Sequence, residues 1–329
     1  MAAAVCAGGC RSLFTGGAKD YDESLTVFLS DMHIGSSAVA PKYQPFKFRS
    51  LVAEILRMDP LPARVVVFGD IAWKSGIRGD YQAAYPLFRL LADAGIKITF
   101  GMGNHDRRPS FLEMWPEYGK TSPVPGRIVS VVPLQHADLV MLDSLKSEGG
   151  GIEETDGFGE GALDDAQQEW LADWMAKAKR PFFLASHHPE YEPHGHQISV
   201  KGMRIDKFMM KFQHAAGYIH GHNHSWRSEL SFIKWEPGGQ LPIMGLPSAG
   251  YWGDIGYVLF RTAPDGARAT LRQTEHFFSR WTGDVTDTSV HPKVWRERTR
   301  INDGQTCLFT FPRAWPWSAA PRKFKLEGT

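Results

Sequence analysis

Leu25-Thr26-Val27-Phe28-Leu29-Ser30-Asp31-Met32-His33 begins as a strand and ends as a chemical site. Runs this short and this rich in β-branched and aromatic side chains favour strands over helices. Four later segments repeat the arrangement. Ala63 to Phe68 leads into Gly69-Asp70, and Lys97 to Met102 into Gly103-Asn104-His105-Asp106. Pro181 to Ser186 leads into His187-His188-Pro189, and Ala215 to His220 into Gly221-His222-Asn223-His224. In an open α/β sheet the loops leaving the strand ends are where ligands collect. Five strand ends that each present a carboxylate, amide or imidazole are therefore expected to share one polar site.

In that order the five islands resemble the calcineurin-like metallophosphoesterase family, over roughly residues 25 to 225. The family pattern runs D-x-H, GD, GNH followed by Asp or Glu, a lone His, and GHxH, and this chain fills every slot. One D-x-H or GD carries little weight alone; all five in order, each behind a strand, make a strong signal. The resemblance implies an α/β, four-layer fold in which a two-sheet β-sandwich is flanked by helices. It implies Asp31, His33 and His224 as ligands of one metal ion and Asn104, His187 and His222 as ligands of a second, with Asp70 bridging them. A carboxylate suits the bridge because it has two acceptor oxygens and the charge to offset two close cations. The mixed oxygen and nitrogen set suits two ions drawn from Mn, Fe, Zn or Co rather than Ca.

By the same resemblance, a hydroxide shared between the ions attacks phosphorus opposite the leaving oxygen, because metal binding lowers the pKa of water. His105, beside a ligand but not one itself in the family, is the expected group to stabilise or protonate the leaving oxygen. Asp106 is expected to accept a hydrogen bond from that imidazole and fix its tautomer. His188 follows the family's ligand position and is expected to pack beside the site. His194 and His196 fall in the next loop, where pocket lining and plain solvation are equal alternatives. His136, His214, His220, His276 and His291 have no motif around them and are read as structural.

Departures from subgroups of the family narrow the branch. Purple acid phosphatases place an iron-ligating Tyr three residues after the GD aspartate, and here that position is Trp73. Serine/threonine protein phosphatases read GDxVDRG and GNHE, whereas this chain has Gly69-Asp70-Ile71-Ala72-Trp73-Lys74-Ser75-Gly76 and GNHD. The GNHD and GHNH forms, with the Gln-x-x-Trp-Leu helix within Gly161 to Trp174, look more like the bacterial phosphodiesterase-like branch. Trp73, Tyr251 and Trp252 are candidates for stacking on a base or lipid head, with core or rim packing as the alternative.

The expected function is hydrolysis of phosphodiester or phosphomonoester bonds in a small substrate. A nuclease on the same fold is one alternative, but a net charge of +1 offers no basic field for nucleic acid. A non-catalytic scaffold is the other, and such proteins lose ligands, whereas none is missing here. Hydrophobic content of 43% supports a large core, and no apolar stretch reaches the ~20 residues of a membrane helix. Helices are expected over Pro45 to Met58, over Asp80 to Ala94 with Asp80 as N-cap and Gly95 as stop, and over Leu163 to Lys177. Trp226 to Trp235, Leu241 to Leu246, Ile255 to Thr262 and Ala267 to His276 read as consecutive strands.

Three regions are expected: a flexible N-terminal segment (1–21), a catalytic domain (22–281) and an appendage (282–329) packed on the core. The appendage is rich in Trp, including Trp295, Trp315 and Trp317, with one strand over Thr306 to Phe311. The N-terminal segment resembles either a tail on a cytoplasmic protein or the end of an export signal with Cys10 as a lipid-anchored residue, which favours the periplasm or cell envelope. No disulfide framework is implied by Cys6, Cys10 and Cys307. The sequence leaves the oligomeric state open.

Overall fold

The computed structural model describes residues 20–37, 44–146, 161–191, 197–226, 241–251, 253–273, 303–311 and 326–327. The expectations for Cys6, Cys10, His194, His196, Trp252, His276, His291 and the three C-terminal tryptophans lie outside these residues.

The chain alternates strands and helices through its first half. These are β1 (Tyr21–Leu29), α1 (Gln44–Ile55), β2 (Leu61–Val67), α2 (Arg78–Asp93), β3 (Lys97–Phe100), α3 (Arg108–Met114) and α4 (Glu117–Thr121). Next come β4 (Ser130–Pro133), β5 (Asp138–Met141), α5 (Asp165–Lys177) and β6 (Phe182–Ser186), then the small hairpin β7 (Ser199–Val200) and β8 (Met203–Arg204). The run closes with α6 (Ile205–Met209), β9 (Ala215–His220), β10 (Ile243–Gly245), β11 (Tyr257–Ala263), β12 (Gly266–Arg272), β13 (Thr306–Thr310) and β14 (Leu326–Glu327). Two sheets result, ordered β14-β13-β12-β11-β1-β2-β3 and β10-β9-β6-β5-β4. β1, β2 and β3 run parallel, as do β5, β6, β9 and β10.

Strict alternation along the strands builds the layers. Phe28 and Val66 face the core between the sheets, with Phe183, Ala185, Phe260 and Phe309. Their neighbours Val27, Leu29, Val65 and Val67 pack instead on Phe48, Leu51, Tyr81 and Phe88 of α1 and α2. On the far side Phe182 and Leu184 meet Leu171 and Met175 of α5. Strands buried on both faces read as unbroken apolar runs, which is why these segments stand out in the sequence. The expected two-sheet sandwich with flanking helices is what forms.

Helix α2 ends at Gly95, whose φ is +86°. The Gly95 N–H donates to Ala92 and the Ile96 N–H to Leu91, the paired bonds of a Schellman stop. Its start differs from expectation. Asp80 lies within the first turn and is not the N-cap; its carboxylate accepts from the backbone and hydroxyl of Ser36 at 2.7 and 2.9 Å. That bond fastens the helix to the loop after β1. In α5, Asp164 does cap, accepting from Gln167 N at 2.9 Å.

The strands after the last island depart from a simple meander. β10 joins the second sheet beside β9, while β11 pairs antiparallel with β1, and β12 and β13 extend that sheet, each antiparallel to the strand before it. Of Trp226 to Trp235, only Trp226 is described, and it is buried. No helix among the described residues is long and apolar enough to cross a membrane.

Candidate metal centre

All five islands leave their strands at one end of the sandwich, and backbone bonds tie them together. Asp31 N–H donates to Gly69 at 3.1 Å, His33 N–H to Asp70 at 2.9 Å, and Gly221 N–H to His187 at 3.0 Å. The motif glycines have a steric cause. A Cβ on Gly103 would collide with the Asp70 carboxylate, and one on Gly221 with the Ser30 hydroxyl. Only glycine lets the strand ends approach this closely.

The predicted ligands separate into two groups. Around Asp31, the Oδ1 atom lies 3.0 Å from His224 Nε2, and His224 Nε2 lies 3.2 Å from His33 Nε2. Around Asn104, Oδ1 lies 2.9 Å from both His187 Nε2 and His222 Nδ1, which are 3.2 Å from each other. Asp70 stands between: its Oδ2 is 3.5 Å from His33 Nε2 and 3.4 Å from His187 Nε2. The two carboxylates share a design in which one oxygen is held and the other faces inward. Asp31 Oδ2 accepts from Ser30 Oγ at 2.5 Å and from His222 N–H at 3.1 Å, and Asp70 Oδ1 accepts from His105 N–H at 2.8 Å. A single oxygen of Asp70 therefore faces both groups, rather than one oxygen each.

Several observations test whether a metal fits. The Phe68 carbonyl, 2.8 Å from His187 Nδ1, can only accept, so Nδ1 carries a proton. Neutral His187 then turns a bare Nε2 lone pair toward the Asn104 oxygen at 2.9 Å, which calls for a proton or a cation between them. Ligand atoms ~3 Å apart about a common point are also what bonds of roughly 2.0–2.2 Å to one ion produce. Asp31 Oδ1 is buried without a hydrogen bond. The backbone is strained in the same places: Asp31, His33, Asp70, His222 and His224 all have φ between 46° and 68°. Non-glycine residues rarely occupy that region, and they collect at ligand clamps when they do. Asp31, His33, Asp70 and His224 form one group able to hold an ion. The residues fit a two-metal site.

Electrostatics follow from burial and charge. Burial opposes the Asp31 charge, but His224 and His187 prevail and hold its pKa well below the usual carboxylate range. Asp70 is likewise depressed against its burial, by His187, His105 and His33. Burial also opposes charge on His187, yet Asp70 and Asp31 lift its pKa to about 9. Burial and the neighbouring His187 push His222 down to about 3.

One expectation needs correction. Asp106 does not orient the His105 ring. It is fully buried and accepts from Gly103 N–H at 3.0 Å, Ala72 N–H at 3.2 Å and Tyr81 O–H at 3.0 Å, pinning the second island to the third. The Lys74 carbonyl takes the place foreseen for it, accepting from His105 Nδ1 at 2.7 Å. His105 Nε2 is thereby left 3.9 Å from Asp70 Oδ2, on a side chain 22% exposed. A backbone carbonyl leaves no mark in a sequence, so nothing there could have revealed Lys74. His188 packs beside the site as foreseen but comes closer than packing requires, its ligand atom within 4.8 Å of those of His187 and His222. Ser144, which no motif marks, lies 2.8 Å from its Nδ1. Tyr251 stands with its ring centroid 4.5 Å from that of His33.

Known proteins share the fold that carries this site. A dimetal phosphatase from Danio rerio superposes with a TM-score of 0.57 over 75% of this chain and 95% of its own, at 14% identity, a likeness of fold alone. A protein of Rhodopseudomonas palustris named a probable cyclic nucleotide phosphodiesterase is 32% identical over 149 residues, 44% of this chain. The match spans about half of that relative's length, 49%. A Psychrobacter arcticus protein of the same name is 24% identical over 221 residues, 60% of this chain and 72% of its own. These names lie in the phosphodiesterase branch that the GNHD and GHNH islands resemble. The calcineurin-like phosphoesterase family model matches residues 25–226, which contain all five islands, and the chain belongs to that family.

Proposed function

We propose that this protein is a binuclear-metal phosphoesterase that hydrolyses phosphodiesters, cyclic nucleotides foremost. Asp31, His33 and His224 hold one ion, Asn104, His187 and His222 hold the other, and Asp70 is shared. The observation that carries this reading is Asp70 Oδ2, within 3.5 Å of His33 on one side and 3.4 Å of His187 on the other. Two ions bound there supply Lewis acidity, both to activate water and to draw charge from the phosphoryl oxygens. The chain's own part is positioning. Lys74 holds a proton on His105 Nδ1 and leaves Nε2 facing the centre from the solvent side, where the doubly protonated ring would deliver its Nε2 proton to the leaving oxygen. Asp31 and Asp70 are kept charged by the imidazoles around them, and so remain ligands well below neutral pH. The names of the two bacterial relatives support cyclic nucleotides as substrates.

The test is hydrolysis of bis(p-nitrophenyl) phosphate, p-nitrophenyl phosphate and cyclic AMP by chelator-stripped protein refilled with Mn. Diester hydrolysis that is lost on stripping and restored on refilling is expected. Two bound ions with monoester hydrolysis alone would overturn the diesterase reading. No bound metal and no turnover would favour the scaffold.

A further inference from the structure

Beside the carboxylate-rich half of the centre, two aromatic rings form a corner that ligation leaves unexplained. Trp73 enters on the loop after β2, its N–H donating to Ile34 at 2.9 Å. Tyr251 enters on the loop after β10, which is pinned at several points. Tyr251 N–H donates to Ser248 Oγ at 2.9 Å, the Ser248 hydroxyl donates to the Asp31 carbonyl at 2.8 Å, and Lys47 Nζ donates to Gly250 at 2.8 Å. The two rings meet edge to face, with centroids 5.0 Å apart and planes at 83°. Both side chains are half-buried, outside the closed cores. The indole Nε1 of Trp73 is sealed from solvent and has no hydrogen-bond partner among the described residues.

Rings at right angles suit a planar heteroaromatic group, which can stack on one face while its edge meets the other ring. An aliphatic head would offer no π-face to either ring. We propose that Trp73 and Tyr251 recognise the nucleobase of a nucleotide ester whose phosphate occupies the adjacent metal centre. This rests on the phosphodiesterase reading above and names the part of the substrate that the ligand set does not touch.

The experiment compares calorimetric binding of AMP and of glycerol phosphate to Mn-loaded protein, which needs no turnover. It also compares hydrolysis of cyclic AMP with that of bis(glycerol) phosphate, a diester without a base. The parent should bind AMP more tightly than glycerol phosphate. In Trp73→Leu and Tyr251→Leu, with two Mn retained, the ratio of AMP to glycerol phosphate affinity should fall about ten- to hundredfold, the range expected for one lost stacking contact. Trp73→Phe, which keeps a smaller stacking ring and the fold, should fall in between. Equal weakening of both ligands, or no AMP preference in the parent, overturns the inference. A parent that prefers AMP yet hydrolyses neither diester breaks the phosphodiesterase reading and leaves base recognition standing.

Discussion

The two halves of the candidate centre use opposite means to the same end. The Asp31 half holds a buried carboxylate and leans on the second, Asp70, and four of its residues sit in left-handed backbone. The Asn104 half offers an amide and two imidazoles and no carboxylate of its own, with only His222 in left-handed backbone. Charge in the first half is fixed, because Asp31 and Asp70 are both held far below their usual pKa. In the second half it depends on a proton, since His187 titrates near 9 in the metal-free protein. One half is thus a permanent anionic socket and the other a site that a metal ion must win from a proton.

Removing the residue common to both halves should have the largest effect. Asp70→Ala is expected to bring hydrolysis to background and metal content to one ion or none, as read by elemental analysis. Two retained ions would end the shared-ligand assignment. His105→Ala should separate chemistry from binding, with turnover down by ~10²–10⁴-fold and both ions in place. Loss of metal there would make His105 a ligand of one of the halves.

The third prediction tests the asymmetry itself. At pH 7 the metal-free protein carries a proton on His187 that binding to the Asn104 half must displace. Affinity for the second Mn should therefore climb about tenfold per pH unit up to ~9 and then level off, with one proton released. Calorimetry in buffers of different ionisation heat measures that proton. An affinity flat from pH 7 to 9 would erase the contrast between the halves. The smallest effect belongs to the tie beneath both. Tyr81→Phe removes a donor to Asp106 and an acceptor for Arg107 N–H, and should cost about 1–3 kcal/mol in urea unfolding. A loss of activity without a loss of stability would move Asp106 back toward the chemistry.

Much of this was legible because strand burial and ligand type are written in single residues. Val65, Val66 and Val67 announce a strand covered on both faces, and Asp70 and His222 announce ligands by identity and order. Relations between distant backbone atoms are not written that way. The sequence could not show that Lys74 offers a carbonyl to His105, or that Asp106 spends its oxygens on Ala72 and Gly103. Nor could three apolar residues in β10 reveal which sheet they would join, since either sheet would bury them. Asp80 looked like a cap because caps are common for aspartate; its contact with Ser36, 44 positions earlier in the chain, belongs to tertiary structure.

The left-handed backbone at Asp31, His33, Asp70, His222 and His224 also bears on inheritance. Such positions admit glycine, asparagine and aspartate most readily and refuse valine, isoleucine or threonine. Each therefore screens a replacement by shape before any ion screens it by chemistry. A descendant that had abandoned catalysis would still be free to substitute only from that short menu if it kept these turns. Its former ligands would become asparagine or glycine far more often than β-branched residues, leaving a record of the vanished ions in the loops that once held them.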